Sequence, residues 1–294
     1  MTFEAILLNG LAVITTGLVV GAIFSLVAAG VTIMYGTIWL PNASNGQFFL
    51  LAALLMWSVV VSWELSPFLA AAIVIAGSIP FSLLMEKFLI RPFYNVPNRN
   101  IVYFIMTLGL AQIFAGGFNA NYGRWSDNYS LPAAWPGVFM IGPFPFPRTR
   151  FLVVLIAFCL LAGLFAFLRL HRAGRALRAV FQNREAAVLR GVDVRRIYRF
   201  SFVLSMFVIT VGGVLFAMAY GFDLTVAWNM AIIAFAIMIV GGPGSVLGSV
   251  VIGMVFGFTQ AAVSLFTSPT LATFSYLVVM LIILLVKPSG LFAR

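Results

Sequence analysis

Charged residues are scarce in this chain: Asp, Glu, Lys and Arg make up 8% of its 294 residues, against 63% hydrophobic. Soluble domains carry about 25% charged residues, so a soluble fold of this length would lack the polar surface to stay dissolved. There is one cysteine, Cys159. That excludes a disulfide within the chain and a cysteine metal site, and Cys159 reads as a small apolar packing residue. The one histidine, His171, opens a basic segment, where it suits a helix end better than catalysis. The acids are Glu4, Glu64, Glu86, Asp127, Glu185, Asp193 and Asp223, and all fall at span ends or in loops. An ionisable group inside a span costs about 2.5–3.5 kcal/mol on insertion scales, so it needs a functional reason. Without one, proton coupling and voltage sensing lose their usual residues. No G-x-x-x-x-G-K-[ST] run is present, which excludes ATP binding by a P-loop. No basic residue precedes Lys87, so residues 5–38 are expected to form a span with an extension, not a cleaved signal with a basic n-region.

What the chain has instead is apolar length. Runs near 7–36, 47–63, 67–86, 100–118, 151–168, 200–220, 227–240, 246–266 and 271–286 succeed one another. About 20 such residues cross the roughly 30 Å of a bilayer core, and continuous rather than alternating hydrophobicity argues against a barrel. The expected fold is an all-α polytopic membrane protein with eight to nine transmembrane helices, some broken or re-entrant, forming a single domain over residues 1–294. The run 227–240 is short: 14 residues cover about 21 Å, which suits a half-helix broken by "GGPGS" at 241–245.

The net charge of +10 is not spread as a nucleic-acid surface would be. Nine of the 17 basic residues lie between Arg169 and Arg199; Lys87, Arg91 and Arg99 form a second cluster, Lys287 and Arg294 a third. Basic loops stay in the cytoplasm. The clusters are separated by two spans and then by four, so all three fall on one side. That makes the C-terminus cytoplasmic and puts Met1 and Glu4 outside. The outer loop 119–150 holds five prolines and several aromatics. It is expected to be irregular and interfacial, serving either as a docking surface for an external partner or as a lid over helix ends. Arg124, Arg148 and Arg150 are exceptions to the charge rule there.

Small residues four apart (Gly17 and Gly21, Gly244 and Gly248, Gly253 and Gly257) predict close helix approach. "GGPGSVLG" is not a nucleotide fingerprint, since no strand precedes it and its third glycine is one residue late. The stretch "LPNASNGQFF" (40–49) puts amides and a hydroxyl between two apolar runs. Either it is a surface turn, or it lines something that a polar solute passes. The remaining polar residues near or within spans, Gln112, Asn229 and Gln260, argue mildly against a passive scaffold.

The cytosolic segment 171–199 is amphipathic, with Leu177, Phe181 and Val188 near one stripe and Arg172, Arg175 and Arg178 on another. Within it stand Glu185, Ala186 and Ala187, followed after three residues by Gly191. Two alanines make a narrow face able to enter a groove, and Gly191 can end a helix in a left-handed turn. On the residues alone, a basic helix lying on anionic lipid fits as well. The pattern resembles the E-A-A signature of ABC importer permeases, although the hydrophobic stretch ending in proline that usually follows is missing. With "GLVVGAIFSLVAAGVTIMYGTI" (17–38), "GGPGSVLGSVVIG" (241–253) and "VKPSGLF" (286–292), the resemblance covers nearly the whole length. The family it points to is the smaller permease subunit of LIV-type branched-chain amino acid ABC transporters.

That resemblance implies a multi-pass permease of the bacterial inner membrane that works by alternating access. It implies a second related permease subunit, two ATPase subunits that hold ATP and Mg, and an external solute-binding protein. Glu185, Ala186, Ala187 and Gly191 would be the ATPase coupling residues. This chain itself would bind no cofactor or metal and carry no catalytic residue. Family members typically read Asn-x-x-His-Gly-Glu where this chain has Asn42, Asn45, Gly46 and Gln47. Asn42, Ser44, Asn45, Gly46 and Gln47 are therefore expected to line the substrate path. The solute would be a branched-chain or related amino acid. An aromatic or other carboxylate, or a urea-like amide, is the alternative, favoured by the loss of an acid at Gln47. A passive channel or facilitator, with no need of the Glu185 segment, is the competing class. An enzyme is the least supported, since no nucleophile–base pair is apparent.

Overall fold

The computed structural model describes residues 3–39, 41–94, 96, 98–123, 128–142 and 144–292. Met1, Arg124, Asp127 and Arg294 lie outside the described residues, as do the side chains of Glu4 and Arg99. The helices are α1 (Phe3–Ile38), α2 (Asn45–Ser62), α3 (Pro67–Met85), α4 (Arg99–Tyr122), α5 (Arg148–Leu170), α6 (Arg172–Gln182), α7 (Arg184–Leu189), α8 (Val194–Ala219), α9 (Val226–Gly241), α10 (Val246–Ser264) and α11 (Pro269–Val286). Seven helices among the described residues are long and apolar enough to cross a membrane, and two apolar helices, Val226–Gly241 and Leu271–Val286, are shorter. The chain is a polytopic all-α membrane protein.

Helix starts follow capping chemistry. Ser66 Oγ accepts from Leu69 N, and Ser268 Oγ from Leu271 N, each with a proline at the first helical position. Asp193 caps α8 by accepting from Arg196 N at 3.1 Å. His171 caps α6 through Nδ1, which accepts from Ala173 N at 3.2 Å, and its ring stacks on Phe167. This is the helix-end role its sequence position suggests.

α1 is the central post, buried along its second half between α8 and α10. Small residues make this possible, because without a hydrophobic drive in lipid, helices associate by close packing and hydrogen bonds. A Cβ on Gly257 would sit 2.3 Å from the Gly21 backbone, and one on Gly253 would sit 2.5 Å from Ser25 Oγ. Across the same seam Thr32 and Ser249 share a 2.6 Å hydrogen bond, and Ser205 Oγ donates to Gly30 O at 2.6 Å on the α8 side. Gly244 departs from the expected pattern. It lies in the α9–α10 turn at φ +78° with the Phe181 ring against it, so its spacing from Gly248 does not make a helix seam. Gly248 instead meets Gly241 of α9.

The two ends of the bundle separate by charge. At one end Phe181 of α6 touches Gly36 and Gly244, Trp39 stacks on Phe181, and Leu291 N donates to Val240 O. This is the basic end. At the other, Tyr129 pairs with Phe222 and Trp57 packs on Tyr129. Arg148 and Arg150 lie at this second end. Arg148 sits over Trp135 and Phe139, and Arg150 over Tyr220 with Nε 3.4 Å from Ala219 O. Their charge is held by aromatic faces, which lets them sit against the charge rule.

Three expectations are corrected. The loop 119–150 is not irregular throughout: α4 runs to Tyr122, and β1 (Val138–Ile141) pairs antiparallel with β2 (Phe144–Pro147) before α5 begins at Arg148. Two strands have only edges, and Pro145 and Pro147 occupy alternate positions, so neither needs a ladder N–H. Val188 does not share a face with Leu177: Leu177 is buried and Val188 is exposed, because Asn183 breaks the segment into two helices with separate phases. Cys159 is exposed on α5 rather than packed inside.

Candidate functional site

The cluster 42–47 begins where α1 ends. Trp39 takes a left-handed φ of +58°, and Pro41 follows. The chain turns back so that Asn42 lies beside Met34, one turn inside α1. α2 then starts well within the bundle. Phe49 meets Gly213, where a Cβ would be 2.3 Å from Phe49 O. Gly213 lies about 28 Å along α8 from its basic end, which puts Asn45, one turn before Phe49, at about 22 Å. α8 is about 39 Å long, so α2 begins near the level of its middle.

Asn42, Ser44, Asn45 and Gln47 are all buried, with Asn45 1% and Gln47 2% exposed. The surface-turn alternative is therefore excluded. The cluster divides by what its polar atoms do. Asn42 Oδ1 accepts from Ser44 N at 2.9 Å and Ser44 Oγ at 2.6 Å, an Asx turn just ahead of α2. Ala43 N donates to Thr107 Oγ1 of α4 at 3.1 Å. Asn42 and Ser44 are thus satisfied internally. Asn45 Nδ2 and Oδ1 and Gln47 Oε1 are buried with no hydrogen-bond partner among the described residues. Buried polar groups are almost always paired, and each one left unmade costs about 1–3 kcal/mol. Gly46 is where α2 presses on α9: a Cβ there would fall 1.8 Å from Ala227 O.

Two cavities flank the cluster without including it. One of about 770 Å³ lies between the outer halves of α2 and α4, lined by Trp57, Ser58, Phe114, Phe118, Tyr122 and Tyr129. The other, about 400 Å³ and apolar, lies between α2, α3 and α8 and reaches Phe48, the residue after Gln47.

At the basic end, α7 carries the second set. Asn183 Oδ1 caps it by accepting from Ala186 N at 2.9 Å. Ala187 is buried against the bundle, Glu185 and Ala186 face out, and Val188 and Leu189 are exposed, Leu189 by 88%. Gly191 closes the helix at φ +79°, with its N–H donating to Val188 O. Six residues with an apolar exposed tip, held by caps at both ends, make a compact projecting knob.

The composition hid a third group. Glu86 opens a π turn, Glu86–Ile90, at the inner end of α3. It is buried, accepts from Arg199 Nε at 3.2 Å and from Tyr94 Oη at 3.2 Å. Burial, followed by the neighbouring Glu86 carboxylate, pushes the Tyr94 hydroxyl well above its usual range, so it stays a donor. Tyr103, on the inner part of α4, is wholly buried with no partner for its hydroxyl. In sequence Glu86 is one acid at a span end and Tyr103 one aromatic in an apolar run; only the packing distinguishes them. Of the other polar span residues, Gln112 and Asn229 are exposed, while Gln260 keeps a buried, unpartnered Oε1. No group of three or more His, Cys, Asp or Glu able to hold a metal occurs among the described residues.

Residues 13–286 match the family described as the permease component of the branched-chain amino acid transport system. The chain is 27% identical over 294 residues to the high-affinity branched-chain amino acid transport permease LivH of Salmonella typhimurium, covering 95% of this chain and 94% of the relative. It is 23% identical to BraD of Pseudomonas aeruginosa, covering 96% and 95%. It is 24% identical to a probable LivH of Methanocaldococcus jannaschii, covering 98% and 92%. No solved structure is a significant match.

Proposed function

The chain belongs to the family of branched-chain amino acid transport permeases, and on that premise we propose that it forms the solute path of an ATP-driven importer, with Asn45 and Gln47 touching the solute. The observation that carries the path is the pair of buried amides, inside the bundle, that find no partner among the described residues. Irregular backbone and polar groups inside a membrane are tolerated where they line a route. In a resting, closed arrangement their bonds are unmade; a passing solute makes them. Two free acceptors, Asn45 Oδ1 and Gln47 Oε1, suit an ammonium group, and the free donor, Asn45 Nδ2, suits a carboxylate. That set matches an α-amino acid, the solute class named for the relatives. With no charge in the cluster, the solute is held without being trapped.

Asn42 and Ser44 shape the turn and Gly46 lets α2 and α9 meet, so these three position the path. Ala186, Val188 and Leu189 on α7 form the face that enters a groove of an ATPase subunit, with Glu185 beside it and Gly191 ending the helix. ATP and Mg reside on two such subunits, and this chain binds no cofactor of its own. A second, related permease subunit completes the route, and an external solute-binding protein delivers to the hairpin side. The setting is the bacterial plasma membrane, crossed by eight to nine apolar helices of which the short ones are broken or re-entrant.

A urea-like amide also pairs with a donor–acceptor array lacking charge, and this observation keeps it as the second reading. The test is uptake by the transporter reconstituted with its ATPases and binding protein in liposomes. Radiolabelled leucine and urea are offered in parallel to wild type, Gln47→Glu and Asn45→His. ATP-dependent leucine uptake that changes in both variants is expected. Uptake without ATP points to a facilitator, uptake of urea alone to the second reading, and unchanged uptake and selectivity in both variants removes the path assignment.

A further inference from the structure

We propose that Glu86 is a positioning residue that fastens the inner end of α3 to the ATPase-docking segment, so that α3 and the solute path move with α7 and α8. The inference rests on the reading of α7 as the dock. Arg184, the first residue of α7, holds its guanidinium 5.7 Å from the centroid of the Tyr198 ring. Tyr198 meets Tyr94 edge-on at 5.2 Å. Tyr94 donates its hydroxyl to Glu86 Oε1, and Arg199, next to Tyr198 on α8, donates Nε to Glu86 Oε2. Two separate segments therefore meet on one carboxylate, and α7 reaches it through the Tyr198 and Tyr94 rings.

That carboxylate is 2% exposed, while Arg199 is nearly half exposed. The asymmetry sets the direction of constraint. Arg199 keeps water if the pair opens, whereas Glu86 would be stranded as an unpaired buried charge. Glu86 must follow Arg199 wherever α8 carries it. The carboxylate sits in a π turn, a local irregularity that often marks functional positions in helices.

What Glu86 would drag is next to the path. Beyond the π turn, Phe81 of α3 packs edge-on against Phe48 at 6.1 Å, and Phe48 adjoins Gln47. The line therefore runs from the dock through Arg184, Tyr198, Tyr94, Glu86 and α3 to the first turn of α2. A static core pair would need none of these connections. It would also be expected to affect assembly rather than the ratio of two rates.

The test uses the assembled transporter with its ATPases and binding protein in liposomes, with leucine as the probe. ATP hydrolysis and leucine uptake are measured together. In Glu86→Gln, hydrolysis is expected to stay within about twofold of wild type while uptake falls at least tenfold, raising ATP consumed per leucine at least fivefold. Exchanging the partners, Glu86→Arg with Arg199→Glu, is expected to recover at least a third of uptake. Tyr94→Phe keeps the ion pair and loses one bond, so a two- to threefold rise in the ratio is expected; it also serves if Glu86→Gln does not assemble. A wild-type ratio in Glu86→Gln or, should that variant not assemble, in Tyr94→Phe overturns the proposal, whether both rates hold or both fall together. If wild type takes up leucine without ATP, the coupling reading itself fails, and that is seen before any variant is compared.

Discussion

Asn45→Leu separates an amide kept for a solute from one kept for the fold. Both polar atoms of Asn45 are buried without a partner among the described residues. Unmade bonds of this kind cost about 1–3 kcal/mol each in water-based proteins, and hydrogen bonds inside a bilayer protein average nearer about 0.6 kcal/mol. Taking about 1 kcal/mol per atom, the closed state carries about 2 kcal/mol that leucine, with the same heavy-atom branching, removes. For a chain of this length about 1 kcal/mol moves the melting temperature by about 2 °C, so a rise of about 4 °C is expected. It is read by tryptophan fluorescence during thermal unfolding in detergent. In liposomes the same variant is expected to lose at least tenfold of ATP-dependent leucine uptake while ATP hydrolysis persists. A fall in melting temperature would mean that the amide is bonded in the folded state. A rise with full uptake would place Asn45 off the path.

Gly46→Ala forces a Cβ to 1.8 Å from Ala227 O, and overpacking of about 1–3 kcal/mol should outweigh the helix-propensity gain of about 1 kcal/mol. Gly109→Ala on α4 meets nothing within 4 Å and should be neutral or slightly stabilising; equal melting shifts in the two would contradict the α2–α9 contact. Leu189→Asp alters a side chain 88% exposed, so the melting temperature should hold within about 1 °C while co-purification with the ATPase subunits is lost; retained co-purification removes α7 as the dock. Gly191 sits at φ +79°, a region that costs other L-residues about 1–2 kcal/mol and asparagine less. Amide exchange protection of α7 should therefore rank Gly above Asn above Ala, and identical protection in all three would refute the turn's role.

The class, and the gathering of the basic clusters at one end, were legible in the sequence because they depend on composition and parity. Apolar runs long enough for a bilayer can only be buried or lipid-facing, and basic clusters separated by even numbers of spans must share a side. The runs matched their helices within about four residues except at the start of α8, which begins six residues before its run, since serine caps, prolines and the glycine turns at Gly191 and Gly242 are local chemistry. The projecting segment at Glu185 was readable for the same reason.

Depth, pairing and contact were not. "LPNASNGQFF" was compatible with a surface turn or a buried lining, because polarity in sequence does not say whether a neighbour covers it. The fold covers it, with α9 pressing on Gly46 and Thr107 of α4 holding Ala43. Glu86 and Arg199 are 113 positions apart, and nothing local marks either as a partner of the other. Val188 and Leu177 fall on one stripe of an unbroken helix, but the Asn183 cap resets the phase and turns one in and the other out. The sequence by itself determined that this chain crosses a membrane and which ends stay with the basic clusters, because hydrophobic length and charge act residue by residue. Only the tertiary structure decided which amides lack partners and which buried acid is held from α8, because hydrogen bonds and burial are properties of pairs brought together from distant parts of the chain.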